Sequence, residues 1–291
     1  MADLKNTVIS DVGAITLPKG GTAQRPTNPP EGAMRYNTDL GYTECYWKGY
    51  WFDLATGADK PVMLNLVAHF DANHPDSNTG SGNIWYDISA NNNDASLVGI
   101  TRTTSTPGSV LQTAGNNSSY IEMDSNANGA FNLTNPPEGY TVIVCQRFSG
   151  GTQGRMLNGR RNNWLLGHWS SGMVEHYAEG WIYGASGGGT RYTGDQVWRV
   201  HAAVGRPSAD FYEFWVDGQR LAGPRDTGGS QGPNGFVVGI YGNSMNSEHS
   251  TGQISEILIY NRAMRPEETK QSMMAMMKKN NIDCTRYYDQ G

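Results

Sequence analysis

The chain has 291 residues, with 22 Lys and Arg against 27 Asp and Glu, so its formal net charge is −5 with the six histidines neutral. That balance excludes the basic face that a nucleic-acid binder or a binder of anionic membranes needs. The 37 glycines, 13 prolines, 10% aromatic residues and only 17% charged residues describe a turn-rich, aromatic-loaded chain that favours β surfaces over a helical bundle.

The opening residues, Met1-Ala2-Asp3-Leu4-Lys5-Asn6, hold no apolar run of the kind found in a signal peptide or a membrane span, which predicts synthesis in a cytoplasm. Up to about residue 58 the text is punctuated by Pro18-Lys19-Gly20-Gly21, Pro26 and Pro29-Pro30-Glu31-Gly32, then loaded with aromatics in 34–37 and 45–51. These pieces read as short strands joined by turns, the second hairpin closing at Lys48-Gly49. With so little aliphatic content in under about sixty residues, this segment makes a poor core of its own, and a partner chain is expected to complete it.

From Pro61 onward the pattern is a series of strands, at 64–70, 120–123, 140–148, 164–169, 174–183, 197–204, 211–216, 236–241 and 254–260. Between 211 and 221 an aromatic run meets Asp217-Gly218, a pair that tolerates positive φ and suits a tight hairpin. No helices interleave, so the strands predict an antiparallel sandwich or jelly roll. One helix is expected near 266–280, where Pro266, Glu267 and Glu268 fill a first turn and Lys278 and Lys279 a last one. Its methionines, Met273, Met274, Met276 and Met277, have the spacing of gap-fillers against a sheet. Cys45, Cys145 and Cys284 are odd in number and lack C-x-x-C spacing, so free thiols are expected, with no disulfide framework and no zinc site.

Residues 66–73, 80–89 and 91–97, together with Gly252-Gln253-Ile254-Ser255-Glu256-Ile257-Leu258-Ile259-Tyr260-Asn261-Arg262-Ala263-Met264 and the helix after it, resemble the opening and closing strands of a concanavalin A-like (laminin G-type) jelly roll. The resemblance spans residue 63 to about 282 and implies two curved antiparallel sheets, often with sugar or protein binding. The first segment, through Ile15-Thr16-Leu17-Pro18-Lys19-Gly20, Thr22-Ala23-Gln24-Arg25-Pro26, 30–38 and 46–51, is similar to a module of bacteriophage virion proteins such as fibres, appendages and capsid decorations. That resemblance implies virion assembly, commonly as a homotrimer. The expected organisation is therefore a docking and trimerisation segment at 1–60 and an all-β jelly-roll domain at 61–291 with one short C-terminal helix.

A jelly roll suggests glycoside hydrolysis, which needs two carboxylates across a sugar bond. Glucanases of this fold resemble a Glu-x-Asp-x-x-Glu strand. The nearest match is Glu122-Met123-Asp124, but Ala127 and Asn128 stand where the second glutamate would fall. Glu175 and Glu179 would share a strand face and read as a wetted surface. Gly228-Gly229-Ser230-Gln231-Gly232 spells a nucleophile elbow but lies in a proline- and glycine-rich loop without the required strand and helix. The histidines lack metal-ligand spacing. A protein without enzymatic activity is the expectation.

Asp124-Ser125-Asn126-Ala127-Asn128-Gly129 fits the first half of a calcium loop. Asp124, Asn126 and Asn128 are the candidate ligands, with Asn135 at the twelfth position in place of a bidentate glutamate, so the affinity expected is low; no other cofactor is indicated. Among aromatics near loops, Trp169 and Trp181, flanked by Ser170-Ser171-Gly172 and Gly180, are the ones placed to stack on a sugar ring.

Together these readings predict a virion-surface protein made in the host cytoplasm, a capsid decoration whose first segment docks on other virion proteins and whose jelly roll projects outward. The docking anchors would be Leu17, Pro18, Arg25, Pro26, Arg35, Tyr36, Tyr46, Trp47 and Trp51, aromatic or arginine side chains of the kind that dominate interfaces. Without heptads or shaft repeats, decoration is favoured over a fibre. The alternatives are a fibre or receptor binder that recognises host surface glycans, and a polysaccharide depolymerase. No nucleic-acid or membrane partner is expected.

Overall fold

Side chains of Met34-Arg35-Tyr36-Asn37 alternate exposed and buried, the period-two pattern of a strand covered on one face. The computed structural model describes residues 16–39, 42–47, 50–53, 60–123, 129–184, 196–224 and 229–283, and the chain divides into two units, Met1–Gly57 and Ala58–Gly291.

In the first unit β1 (Lys19–Gly20), β2 (Met34–Asn37), β3 (Tyr42–Trp47) and β4 (Tyr50–Asp53) form one sheet in that order, β1 parallel to β2 and the others antiparallel. The residues expected to close its second hairpin, Lys48 and Gly49, lie outside the described residues. The covered face of this sheet is polar. Arg35, Asn37 and Glu44 are buried there, and the Glu44 carboxylate accepts from Arg25 and, at 3.1 Å, from Asn37 Nδ2, with Arg35 Nη1 at 3.4 Å. A Cβ at Gly20 would lie 2.7 Å from Gln24 Oε1 and 2.8 Å from Arg35 Nη2, so a larger residue there would require those side-chain ends to shift.

In the second unit the strands run β5 (Leu66–Asp71), β6 (Ile84–Trp85), β7 (Ala95–Val98), β8 (Thr101–Ser105), β9 (Gly108–Gln112), β10 (Tyr120–Met123), β11 (Tyr140–Gln153) and β12 (Arg155–Gly159). They continue with β13 (Trp164–Trp169), β14 (Gly172–Ala178), β15 (Trp181–Tyr183), β16 (Arg199–Arg206), β17 (Phe211–Val216), β18 (Gln219–Ala222), β19 (Phe236–Val238) and β20 (Ser250–Tyr260), followed by α1 (Pro266–Lys279). One sheet has the order β15-β14-β13-β12-β19-β10-β7-β6 and the other β18-β17-β16-β11-β20-β9-β8, with β5 paired to β20. Every pairing between these strands is antiparallel. Among the described residues the unit is an all-β antiparallel sandwich with one α-helix.

The two faces of the second sheet feed two different cores. On β11, Val142 and Val144 enter the main core with Trp85, Trp164, Phe70 and Phe236. Ile143 and Cys145 point the other way, into a second core with Met273, Met276 and Met277 of α1. Alternation between two apolar environments is why these central strands read as continuous hydrophobic runs. The predicted turn forms at Asp217 and Gly218, with φ 48° and 83°, between β17 and β18. The strand expected over 174–183 is two strands, because Glu179 takes φ 53° and turns the chain before Gly180. At 236–241 the strand stops at Val238 and Gly239 follows with φ 90°. Strands β6 to β9, β12 and β18 stand outside the strand series read from the sequence, and β8 and β12 show why. Thr101-Arg102-Thr103-Thr104-Ser105 has no apolar alternation, and β12 is buried throughout, leaving no polar phase to read.

Candidate functional site

On β13 the side chains of Trp164 and Leu166 enter the main core, so Leu165 belongs to the opposite face of the sheet, and across the ladder it pairs with Tyr177. The strand is joined to β14 by Ser170 and Ser171, which both hold left-handed backbone at φ 48° and 68°. Two successive non-glycine residues in that region are strained, and such strain collects at functional rims. The turn presents Trp169 beside Trp181, 5.3 Å between ring centroids, and Trp181 beside Tyr177 at 5.2 Å. All three rings are half-buried. They form a row of aromatic faces on the side of the sheet away from the main core.

A polar cluster borders the row. Trp169 Nε1 donates to Glu248 Oε2 at 2.7 Å, and the same carboxylate pairs with Arg155. The Arg155 guanidinium lies 4.2 Å from the centre of the Tyr241 ring and donates to Asn163 Oδ1 at 2.7 Å. Indole, guanidinium and carboxylate are thereby held in one orientation, and the site offers flat apolar faces next to fixed donors and acceptors. Trp169 and Trp181 came from the sequence. Tyr177, Arg155, Glu248 and Tyr241 did not, since Glu248 and Tyr241 are about 90 residues distant from Arg155 and no local pattern connects them.

Directly behind this face lie buried histidines. His176 Nδ1 donates to the Leu165 carbonyl at 2.8 Å, since a carbonyl can only accept. Burial holds its pKa down to about 4, the Leu165 hydrogen bond opposing only in part. His168, against Phe148 and His201, is pushed well below the ordinary histidine value by burial first, with a further push from the Arg199 charge. Both rings are neutral at pH 7.

The remaining sequence candidates fall as follows. Asp124, Asn126 and Asn128 lie outside the described residues. Glu122 is paired with Arg160. The expectation that Glu175 and Glu179 share a wetted strand face is corrected: Glu175 is fully buried, and Glu179 sits in the turn, where its carboxylate accepts from Asn163 N at 2.6 Å. Of the docking candidates, Arg25 and Arg35 converge on Glu44, and Arg35 lies 5.9 Å from the centre of the Trp51 ring, which itself packs on Tyr46 at 5.4 Å. Pro18, Pro26 and Tyr36 are exposed and Leu17 is half-buried; the side chain of Trp47 lies outside the described residues.

The histidines lack ligand spacing along the chain, yet pairing of β5 with β20 brings His69, Asp71 and Glu256 within 4.8 Å of one another. Lys279 Nζ sits in that cluster, 2.6 Å from Asp71 and 2.8 Å from Glu256. Burial alone would raise the Glu256 carboxyl, but the His69 hydrogen bond and the Lys279 charge outweigh it and hold it below the usual carboxylate range. The cluster ties the helix C-terminus to the sheet, with an ammonium supplying the positive charge.

No protein-family model matches this chain, and no curated protein does so. Among solved structures it is similar to a Trypanosoma rangeli sialidase in complex with sialic acid (13% identity, TM-score 0.52, 85% of this chain and 44% of that one). It is also similar to the binding domain of Paraclostridial Mosquitocidal Protein 1 (13% identity, TM-score 0.50, 73% of this chain and 52% of that one). The chain spans about half or less of the length of these structures, and at such identities the likeness concerns the fold. It corrects one expectation. Sialidases are enzymes, so a likeness of fold to them overturns the expectation that this chain lacks activity as a matter of its fold, without assigning it one.

Proposed function

We propose that this protein is a virion-surface component whose sandwich recognises host-surface glycans through the face built by Trp169, Trp181 and Tyr177. The observation that carries the reading is the row of half-buried aromatic rings beside the Arg155–Glu248 pair. Apolar ring faces complement the C–H face of a pyranose, while a fixed guanidinium and carboxylate complement its hydroxyls. The helix covers the other sheet, leaving this face for a ligand. Binding of the full chain to a panel of bacterial surface glycans tests the proposal. Trp169→Ala and Trp181→Ala are each expected to weaken binding at least about tenfold with the fold intact. Wild-type affinity in both variants would sink it. Release of sugar products during the same experiment would show whether recognition is coupled to cleavage.

The first unit supports an assembly role beside it, as a capsid decoration that docks on other virion proteins. Met34 and Tyr36 are 46% and 40% exposed on the face of β2 opposite the Glu44 cluster, and Met34 pairs with Cys45 across the ladder. An apolar face on so small a sheet is one that a partner or a second copy covers, and a homotrimer is the assembly proposed. Light scattering of the full chain should give three copies, and Met34→Asp with Tyr36→Asp should give one. A wild-type monomer would remove the trimer from this reading.

A further inference from the structure

Beyond the C-terminal end of α1, on the helix-covered side of the second sheet, a pocket of about 310 Å³ opens among Arg147, Trp198, Val197, Ile282 and Asp283. Arg147 has no carboxylate among its hydrogen-bond partners, a trait it shares with Arg102. In the same unit Arg155, Arg160, Arg199 and Arg262 each pair with a carboxylate. Arg147 instead donates to neutral acceptors, from Nε to Gln253 Oε1 at 2.9 Å, from Nη1 to the Gln196 carbonyl at 3.2 Å and from Nη2 to Ser105 Oγ at 3.1 Å. Ser105 Oγ also accepts from Trp198 Nε1, and the guanidinium lies 5.2 Å from the centre of the Trp198 ring. The plane is therefore fixed. A guanidinium has five N–H donors, so one remains on each terminal nitrogen, matched to the two oxygens of a carboxylate. Burial lowers the Arg147 pKa, as it does for a cation short of counter-charge.

The rest of the lining narrows the ligand. Trp198, Val197 and Ile282 give an apolar wall, and Val197 is 39% exposed. Asp217 accepts from Val200 N and from Arg199 Nη1, so its charge is already balanced. The volume is at the small end of ligand sites.

We infer that this pocket binds a single carboxylated sugar ring, a uronate-type unit whose carboxylate meets Arg147 and whose C–H face lies on Trp198 and Val197. The site is separate from the Trp169–Trp181 face and stands or falls independently of it.

Calorimetric titration of the full chain with D-glucuronate should give a Kd on the order of 1 mM, the range open to a ligand of that size. D-glucose, acetate and inorganic phosphate should each bind at least about tenfold more weakly, lacking the carboxylate, the ring or both. Arg147→Gln should lose at least about tenfold. Val197→Trp, which fills the pocket while keeping Arg147 itself, should lose as much with an unchanged melting temperature, and Trp181→Ala should bind glucuronate like wild type. No heat from glucuronate at tens of millimolar, equal binding of glucose or acetate, or wild-type affinity in Val197→Trp would overturn the assignment.

Discussion

At the centre of the first unit a buried carboxylate, Glu44, faces two guanidiniums and an amide, whereas the centre of the second is packed with Trp85, Trp164, Phe70 and Phe236. A short sheet with few aliphatic residues cannot bury enough apolar area to hold itself, so it relies on directional pairs that are intolerant of loss. A buried ion pair adds little net stability but is costly to break, because the surviving partner keeps its charge without its solvent. The sandwich rests on many interchangeable contacts in two cores. The contrast predicts a brittle first unit and a robust second one.

The largest effect should come from Glu44→Ala, which strands Arg25 and Arg35. A loss of about 3–5 kcal/mol is expected, enough to unfold a unit of this size. Hydrogen exchange should collapse in 34–37 and stay slow in 140–148. Equal protection in both regions would break the comparison. Phe236→Ala should cost about 3–5 kcal/mol in the sandwich, seen as a lower melting temperature, and leave 34–37 protected.

A smaller effect separates the units by pH. The folded pKa of His176, about 4, is below its ordinary 6.5, so the unfolded chain binds the extra proton. Its contribution is therefore full above pH 6.5 and falls as pH drops from 6.5 towards 4. Between pH 7 and 5 the sandwich should lose on the order of 2 kcal/mol from this residue, a slope that His176→Gln should flatten in melting curves. Below about pH 4.5 the depressed carboxyls of Glu256 and Glu268 add a further loss, because protonation removes their ion pairs. Smallest is Ser171→Gly. Relieving φ 68° should stabilise by about 1 kcal/mol or less, measurable as a rise in melting temperature, with glycan binding kept if the strained turn serves only to place Trp169.

Much of this was legible along the chain wherever cause and effect are neighbours. Asp217-Gly218 adopts the positive φ values of a tight turn because the two residues alone decide it. Pro266 through Lys279 is helical because its proline, acids and lysines sit at the matching ends. Trp169 and Trp181 could be picked as rim aromatics from their glycine and serine flanks, yet their adjacency needed β14 to run between them with its own turn at Glu179. Arg25 and Arg35 looked like surface anchors, since a sequence does not show that Glu44 will be buried between them.

The sequence by itself determined the class of fold, the strand periods, the hairpin at 217–218 and the single helix, since local sterics and side-chain alternation act over a few residues. Only the tertiary structure decided which polar groups would meet. The Arg155–Glu248–Trp169 border, the Lys279 that enters the His69–Asp71–Glu256 cluster and the pocket around Arg147 join residues far apart in the chain. Burial then sets their energetics, because a charge taken out of water must be paired with whatever the sheet pairing brings beside it.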